Sequence, residues 1–199
     1  MTVTDGPLFA FEAFPVLTTE RLVLRELRPG DASDVFAFRS DAEEQYFNSV
    51  PMREVAEALA LIEELRADYA ARRGIQWAVT LAGEGPVVGL MGFNVWQRGH
   101  RRAELGYDLS RARWGRGFGA EAVAAIVRFG FRRMALNRIE AFTIADNVRS
   151  VRLLERLGFQ REGVRRELTL EGDGRFHDGT IYGLLRREYG GVTSGAGGA

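Results

Sequence analysis

Residues 21–27 (Arg21-Leu22-Val23-Leu24-Arg25-Glu26-Leu27) alternate apolar and charged positions, the period of a strand with one buried face. Pro29-Gly30 then turns the chain, and Asp31 stands where it can cap a helix through about Ser40. From Arg53 to Arg73 apolar residues recur at 55, 58, 59, 62, 65 and 69, which predicts a long amphipathic helix ended by Gly74. Segments 75–81 and 87–97 read as the strands of a hairpin about Gly83-Glu84-Gly85-Pro86, and 102–109 as a further strand. A glycine-dense loop, Trp114-Gly115-Arg116-Gly117-Phe118-Gly119, leads into an Ala/Val/Ile-rich helix over about 120–134. Residues 138–144 read as a strand and 148–157 as a helix stopped by Gly158. Residues 159–170 and 175–187 form a closing hairpin about Gly172-Asp173-Gly174. This order predicts a single-domain α/β fold. Its mixed, mostly antiparallel sheet carries one parallel crossover between 102 and 144, with helices on both faces.

The ends differ in character. Residues 1–17 carry Gly6, Pro7 and Pro15 among three phenylalanines, which predicts an irregular arm packed on the domain. Residues 18–189 form the working domain. Residues 190–199 (GGVTSGAGGA) form a flexible tail with nothing to bury. A chain of 199 residues suits one domain.

Charge and composition exclude more than they suggest. Basic and acidic residues number 27 each, so no net field draws the chain to nucleic acid or to an anionic membrane. Every basic residue is Arg, and without Lys neither a Schiff base nor a Walker-A loop can be built. With no Cys and only His100 and His177, thiol nucleophiles and most metal sites are also excluded, and no metal is expected. No apolar run is long enough to span a bilayer, and the N-terminus lacks signal-peptide features, so a cytoplasmic location is expected. Oligomeric state stays open, a homodimer included.

The glycines at 115, 117 and 119 allow close backbone approach, and successive N–H groups at a helix start suit a phosphate or pyrophosphate. Arg111, Arg113 and Arg116 add positive charge around them. The alternative is a loop whose glycines only permit tight packing. A dinucleotide fingerprint fits poorly, because the spacing is G-x-G-x-G and Ser110–Arg113 intervene after the strand.

Four segments carry a resemblance. These are Leu17-Thr18-Thr19-Glu20-Arg21-Leu22-Val23-Leu24-Arg25, then Ala103-Glu104-Leu105-Gly106-Tyr107, then Trp114 to Ala122, and last Asn147-Val148-Arg149-Ser150 with Leu154-Glu155-Arg156-Leu157-Gly158-Phe159. In this order the sequence resembles the GNAT superfamily of acetyl-CoA-dependent N-acyltransferases. Within it the chain is similar to the group of the RimJ and RimL ribosomal-protein N-terminal acetyltransferases. The resemblance implies acetyl-CoA as donor and a primary amine as acceptor, either a protein N-terminus, a ribosomal protein included, or a small molecule. It further implies that Leu109 and Ser110 pair with the pantetheine amides. Arg111, Trp114, Gly115, Arg116, Gly117, Phe118, Gly119 and Ala120 would hold the pyrophosphate, with Asn147 and Ser150 also at the cofactor. Two positions depart from the superfamily pattern: Trp114 replaces the usual Gln or Arg, and Leu154 stands where many members carry a Tyr general acid.

The implied reaction needs a base for the amine proton and a donor for the departing thiolate. Glu104 is the candidate base. Strand alternation puts it on one face with Gly106 and Asp108, and Gly106 leaves room beside it for substrate or water. Ser150, in the first turn of a helix, is the candidate donor, with Asn147 as the helix cap. Asn94 and Trp96 are candidates for the acceptor pocket, and His177 for the acceptor cleft. Without Cys, transfer is expected by direct attack. The alternatives are a non-catalytic CoA- or nucleotide-binding module and a dinucleotide-dependent oxidoreductase.

Overall fold

The computed structural model describes residues 11, 13–83, 85–171 and 174–190. Its strands are β1 (Leu17–Thr18), β2 (Leu22–Arg25), β3 (Ile75–Leu81), β4 (Val87–Gln97), β5 (Arg102–Leu109), β6 (Arg138–Ile144), β7 (Gln160–Leu170) and β8 (Phe176–Leu185). The helices are α1 (Ala32–Arg39), α2 (Ala42–Gln45), α3 (Val55–Ala70), α4 (Phe118–Arg133) and α5 (Val148–Arg156). Among the described residues the strands form one sheet in the order β1-β2-β3-β4-β5-β6-β8-β7. Neighbours are antiparallel except β5 and β6, whose crossover runs through α4.

Strand alternation sorts the core onto two faces. Trp77, Met91, Phe93, Ala103, Leu105, Ile139, Ala141, Tyr182 and Leu184 bury against α4 and α5. On α4 the buried residues Ala122, Val123, Ile126, Val127 and Phe129 follow the 3.6-residue period, and each large one contributes about 1.5–3 kcal/mol by leaving water. On the opposite face Ala78, Val87 and Leu90 pack with Val35 and Phe38 of α1 and Ala58 and Ile62 of α3. Phe14 packs against Tyr69 and Trp77, Phe11 against Phe129, and the Trp77 indole N–H donates to the Pro15 carbonyl (2.7 Å). The rest of the expected arm, residues 1–10 and 12, lies outside the described residues, as do 191–199 of the expected tail. No described helix is long and apolar enough to cross a membrane.

Three local expectations are corrected. Asp31 does not cap α1 with its side chain. Its carboxylate takes two Arg25 hydrogen bonds of 2.8 Å and one from the Arg28 N–H, because a guanidinium fork outcompetes a single helix amide. Helix α3 ends at Ala70, with Ala71 as its C-cap and Arg72 in the left-handed region (φ 57°), before Gly74 is reached. The short helix α2 was not foreseen, although Asp41 caps it through the N–H groups of Glu43 and Glu44.

Strands β3 and β4 meet most closely at Gly92, where a Cβ would lie 2.1 Å from the Ile75 carbonyl oxygen. Gly92→Ala should therefore cost about 2–3 kcal/mol by overpacking against backbone. Melting temperature is expected to fall by about 4–12 °C. A melting temperature unchanged from wild type would show that the strands can part at this point without loss.

Candidate active site

Strands β5 and β6 pair only from Arg102↔Arg138 to Glu104↔Glu140. Beyond that point β5 stays with β4 as far as Leu109↔Gly89, and β6 stays with β8 as far as Ile144↔Gly179. The two strands therefore part, and a cleft of about 520 Å³ opens between residues 105–109 and 142–144. The Ser110 N–H donates to the Val88 carbonyl (2.8 Å) on the β4 side, so by alternation the N–H groups of Tyr107 and Leu109 turn toward the cleft. Ser110 thus presents its amide away from the position expected for pantetheine pairing. The Leu109 carbonyl already accepts from the Trp114 indole N–H (2.7 Å).

The glycine loop closes one end. Gly115 and Gly117 have φ of 71° and 80°, a conformation that a side chain would strain. These turns deliver the first amides of α4 to the cleft, where Gly115, Gly117, Gly119 and Ala120 form its wall. The N–H groups of Phe118, Gly119 and Ala120 have no partner inside the helix, and the helix dipole adds positive potential there. From α5, Arg149, Arg152 and Arg156 line the cleft, with Arg113 from the loop, and Arg149 stacks 3.8 Å over Trp114. Phe118 and Arg116 do not line it. Both are held from behind by Arg21, which lies over the Phe118 ring and donates to the Arg116 carbonyl (3.0 Å). Arg21 is itself fixed by Glu121, whose carboxylate also accepts from Thr19 (2.6 Å). Arg111 pairs with Asp41 and Glu43 of the α2 segment and does not face the cleft.

On the sheet face opposite α4 and α5, Gly106 does not leave the expected space. The Asn94 amide covers it, and a Cβ there would lie 2.3 Å from Asn94 Nδ2. Alternation from the core-facing Phe93 puts Asn94 on this face, where it lines the cleft and Gln76 donates to its oxygen (2.5 Å). The bulge between Phe93 and Val95 acts one step later and turns Trp96 to the core face, opposite Asn94. Trp96 is buried in the core and lines no part of the cleft, and His177 stands across the β7–β8 ladder from Thr169, also outside it. Glu104 is half-buried and opens onto a neighbouring hollow of about 40 Å³, shared with Val95, Gln97 and Glu140. Burial raises its pKa above the ordinary glutamate value. The register-paired Glu140 carboxylate raises it further, and Arg165 and Arg102 offset only part of this. Its carboxylate makes no hydrogen bond or ion pair among the described residues, whereas Glu140 is held by Arg102 and Arg138.

Ser150 is buried at the start of α5 and lines the cleft. Asn147 caps the helix, accepting from the Ser150 N–H (3.2 Å). The Ser150 hydroxyl lies 2.6 Å from that of Tyr107, whose pKa burial pushes up to about 12. The partnership with Tyr107 is not readable from sequence, because the two residues stand 43 positions apart and meet only through the fold. The α5 arginines were missed too, although their i, i+3, i+7 spacing marks one helix face. Asp108 is buried beside Arg39 (2.6 Å) and accepts from Gln45, tying α1 and α2 to β5. Burial raises its pKa despite Arg39.

Comparison with known proteins agrees with this geometry. Residues 21–160 match the acetyltransferase (GNAT) domain family. The chain is 35% identical over 174 residues to the uncharacterized N-acetyltransferase YoaA of Bacillus subtilis, covering 87% of this chain and 98% of that one. It is 30% identical over 184 residues to the ribosomal protein uS5-alanine N-acetyltransferase of Escherichia coli, covering 87% and 92%. Its fold superposes on Mycobacterium smegmatis RimJ in complex with CoA-disulfide with a TM-score of 0.77, at 24% identity and 89% and 88% coverage. That likeness speaks for the fold alone.

The Glu121 junction has a pH signature. Burial works against ionisation, but the Thr19 and Arg21 hydrogen bonds outweigh it and hold the carboxyl below the ordinary glutamate range. A depressed folded value stabilises the fold above the unfolded pKa, and that stability is lost as pH falls through the folded value. Wild type should exceed Glu121→Gln in denaturant midpoint at pH 7, and the gap should close as the solution is acidified toward pH ~3. A gap independent of pH would show that the carboxylate charge contributes nothing to the junction.

Proposed function

The chain belongs to the GNAT acetyltransferase family, an acetyl-CoA-dependent enzyme family, and on that premise we propose that residues 18–189 transfer acetyl to a primary amine by direct, general-base-assisted attack. The carrying observation is the cleft through the sheet between β5 and β6, with an amide-rich helix start and four arginines on one side and a half-buried carboxylate close to the other. The donor set suits CoA: free amides of α4 and the cleft arginines complement phosphates, and the cleft-facing N–H group of Tyr107 complements a pantetheine carbonyl. Bound acetyl-CoA would supply an acetyl group activated as a thioester.

The chain's part is proton handling. An ammonium must lose a proton before its nitrogen can attack, and Glu104 takes that proton through ordered water, since its carboxylate opens onto the hollow beside the cleft. Its raised pKa makes it a stronger base than an exposed glutamate. At the other end the thiolate needs a proton. Ser150 passes it a proton while taking one from the Tyr107 phenol, and the tyrosine regains its proton from solvent through the open cleft, so neither hydroxyl is left ionised. Leu154, buried in the core, takes no part. An acceptor that is a protein N-terminus, a ribosomal protein included, is supported by the relationship to the uS5-alanine enzyme. A small-molecule amine is the other candidate, and the cytoplasm, where acetyl-CoA is made and ribosomes assemble, is the proposed location.

Glu104→Gln should lower kcat about 10²-fold or more while leaving acetyl-CoA affinity near wild type. Because the base works deprotonated, wild-type kcat/KM should fall with acid through a value above the ordinary glutamate range, and the variant should lack that limb. Wild-type turnover in the variant would remove Glu104 from the mechanism.

A further inference from the structure

Three residues that line the cleft carry polar atoms without a partner among the described residues. Glu171, directly after β7, is 8% exposed, and its carboxylate makes no hydrogen bond or ion pair among them. Thr169 Oγ, near the end of β7, is buried without a partner. Glu44 Oε2 of α2 is likewise buried and unmatched, while its other oxygen accepts from the Arg111 N–H (2.5 Å). A buried oxygen without a donor costs about 1–3 kcal/mol, so groups of this kind in a cleft mark the place of a ligand that brings donors.

Their arrangement sets the charge of that ligand. Glu44 of α2 is held at the β5 side by the Arg111 N–H, and Thr169 and Glu171 come from β7, beyond β6 and β8, so both sides of the cleft contribute unmatched groups. On the β5 side the arginines are already committed: Arg39 to Asp108, and Arg111 to Asp41 and Glu43. The four cleft arginines come from the glycine loop and α5, and none is within ion-pairing distance of Glu171 or Glu44. The Glu171 carboxylate, one oxygen of Glu44 and the Thr169 hydroxyl, all without donors among the described residues, favour a cation over a neutral or anionic group.

We infer that the acceptor carries a second positive charge besides the amine that is acetylated, and that Glu171, Glu44 and Thr169 bind it. The inference rests on the amine-acetyltransferase reading and specifies its substrate class. Two sources share this chemistry: a short aliphatic diamine, and a peptide whose N-terminal amine is followed by a basic side chain.

The test is CoA release with matched acceptors, 1,5-diaminopentane against pentylamine and Ala-Arg-Ala against Ala-Glu-Ala, with acetyl-CoA binding followed separately by thermal shift. At least one pair should show kcat/KM about tenfold or more higher for the member with the extra positive charge, the effect of one charge-assisted hydrogen bond. Which pair shows it identifies the source. Glu171→Gln and Glu44→Gln, of unchanged shape, should each lower that preference at least about threefold, with the loss in KM rather than kcat. Equal kcat/KM within both pairs overturns the inference and leaves the acetyltransferase standing. Acetyl-CoA binding without transfer to any of the four overturns the inference together with the reading beneath it.

Discussion

Everything else in this molecule depends on two parallel strands that stop pairing after three residue pairs. Strands β5 and β6 are joined at their beginnings, where Arg102 and Arg138 both reach Glu140 and Arg138 also grips Glu162. Past Glu104 each strand follows its outer neighbour, β5 with β4 and β6 with β8. Each half-sheet can then keep its own twist. Backbone groups that a continuous sheet would consume are left facing a cleft, which is why a ligand can be read by main-chain amides at the centre of the fold rather than at its rim.

The cleft joins two chemically unlike regions. On the α4 and α5 side the potential is positive, from helix amides and from arginines at 149, 152 and 156 on one helix face. Toward α2 and the end of β7, one oxygen of Glu44, the Glu171 carboxylate and the Thr169 hydroxyl lack donors among the described residues. A chain with no net charge can therefore hold a polyanionic donor and a cationic acceptor in one cleft. Mobility of the glycine loop is limited from outside: the guanidinium of Arg21, locked to Glu121, lies on Phe118 and holds the Arg116 carbonyl. The Thr-Glu-Arg-Leu segment at 19–22 thus acts on the site without lining it.

The order of elements was legible because its signals are periodic and local: alternation in β2 to β5, the apolar stripe of α4, and Gly158 after α5. What was not legible depends on contacts distant in sequence. Whether Asp31 caps a helix or receives Arg25 is settled by the guanidinium's reach, not by the residues next to it. Trp96 turns into the core, away from the face of Asn94, only because β4 bulges after Phe93, and a bulge shifts alternation by one residue without a mark in the apolar pattern. In the same way the space above Gly106 was readable as a missing side chain, but the Asn94 amide that fills it was not. Of the expected site residues, Leu109, Trp114, Gly115, Gly117, Gly119, Ala120, Asn147 and Ser150 line the large cleft. Glu104, Ser110, Arg111, Arg116 and Phe118 lie beside or behind it.

Glu104 shows why a position beside the cleft is compatible with the proposed chemistry. A base in contact with the acceptor cation would be held ionised by it, and its pKa would fall just when a strong base is needed. Set back in a half-buried hollow against Glu140, Glu104 keeps its raised value, and water can carry the proton across the gap. At the opposite end burial pushes the Tyr107 pKa up to about 12, so its resting contact with Ser150 is that of two hydroxyls and not of a phenolate. Desolvation along β5 thus acts on the two proton sites in opposite senses for transfer. It makes the carboxylate more willing to accept, and it makes the phenol less willing to give, so the Tyr107 proton moves only together with that of Ser150 as the thiolate forms. The alternation of β5 keeps the two sites apart by pointing Glu104 to one face and Tyr107 to the other.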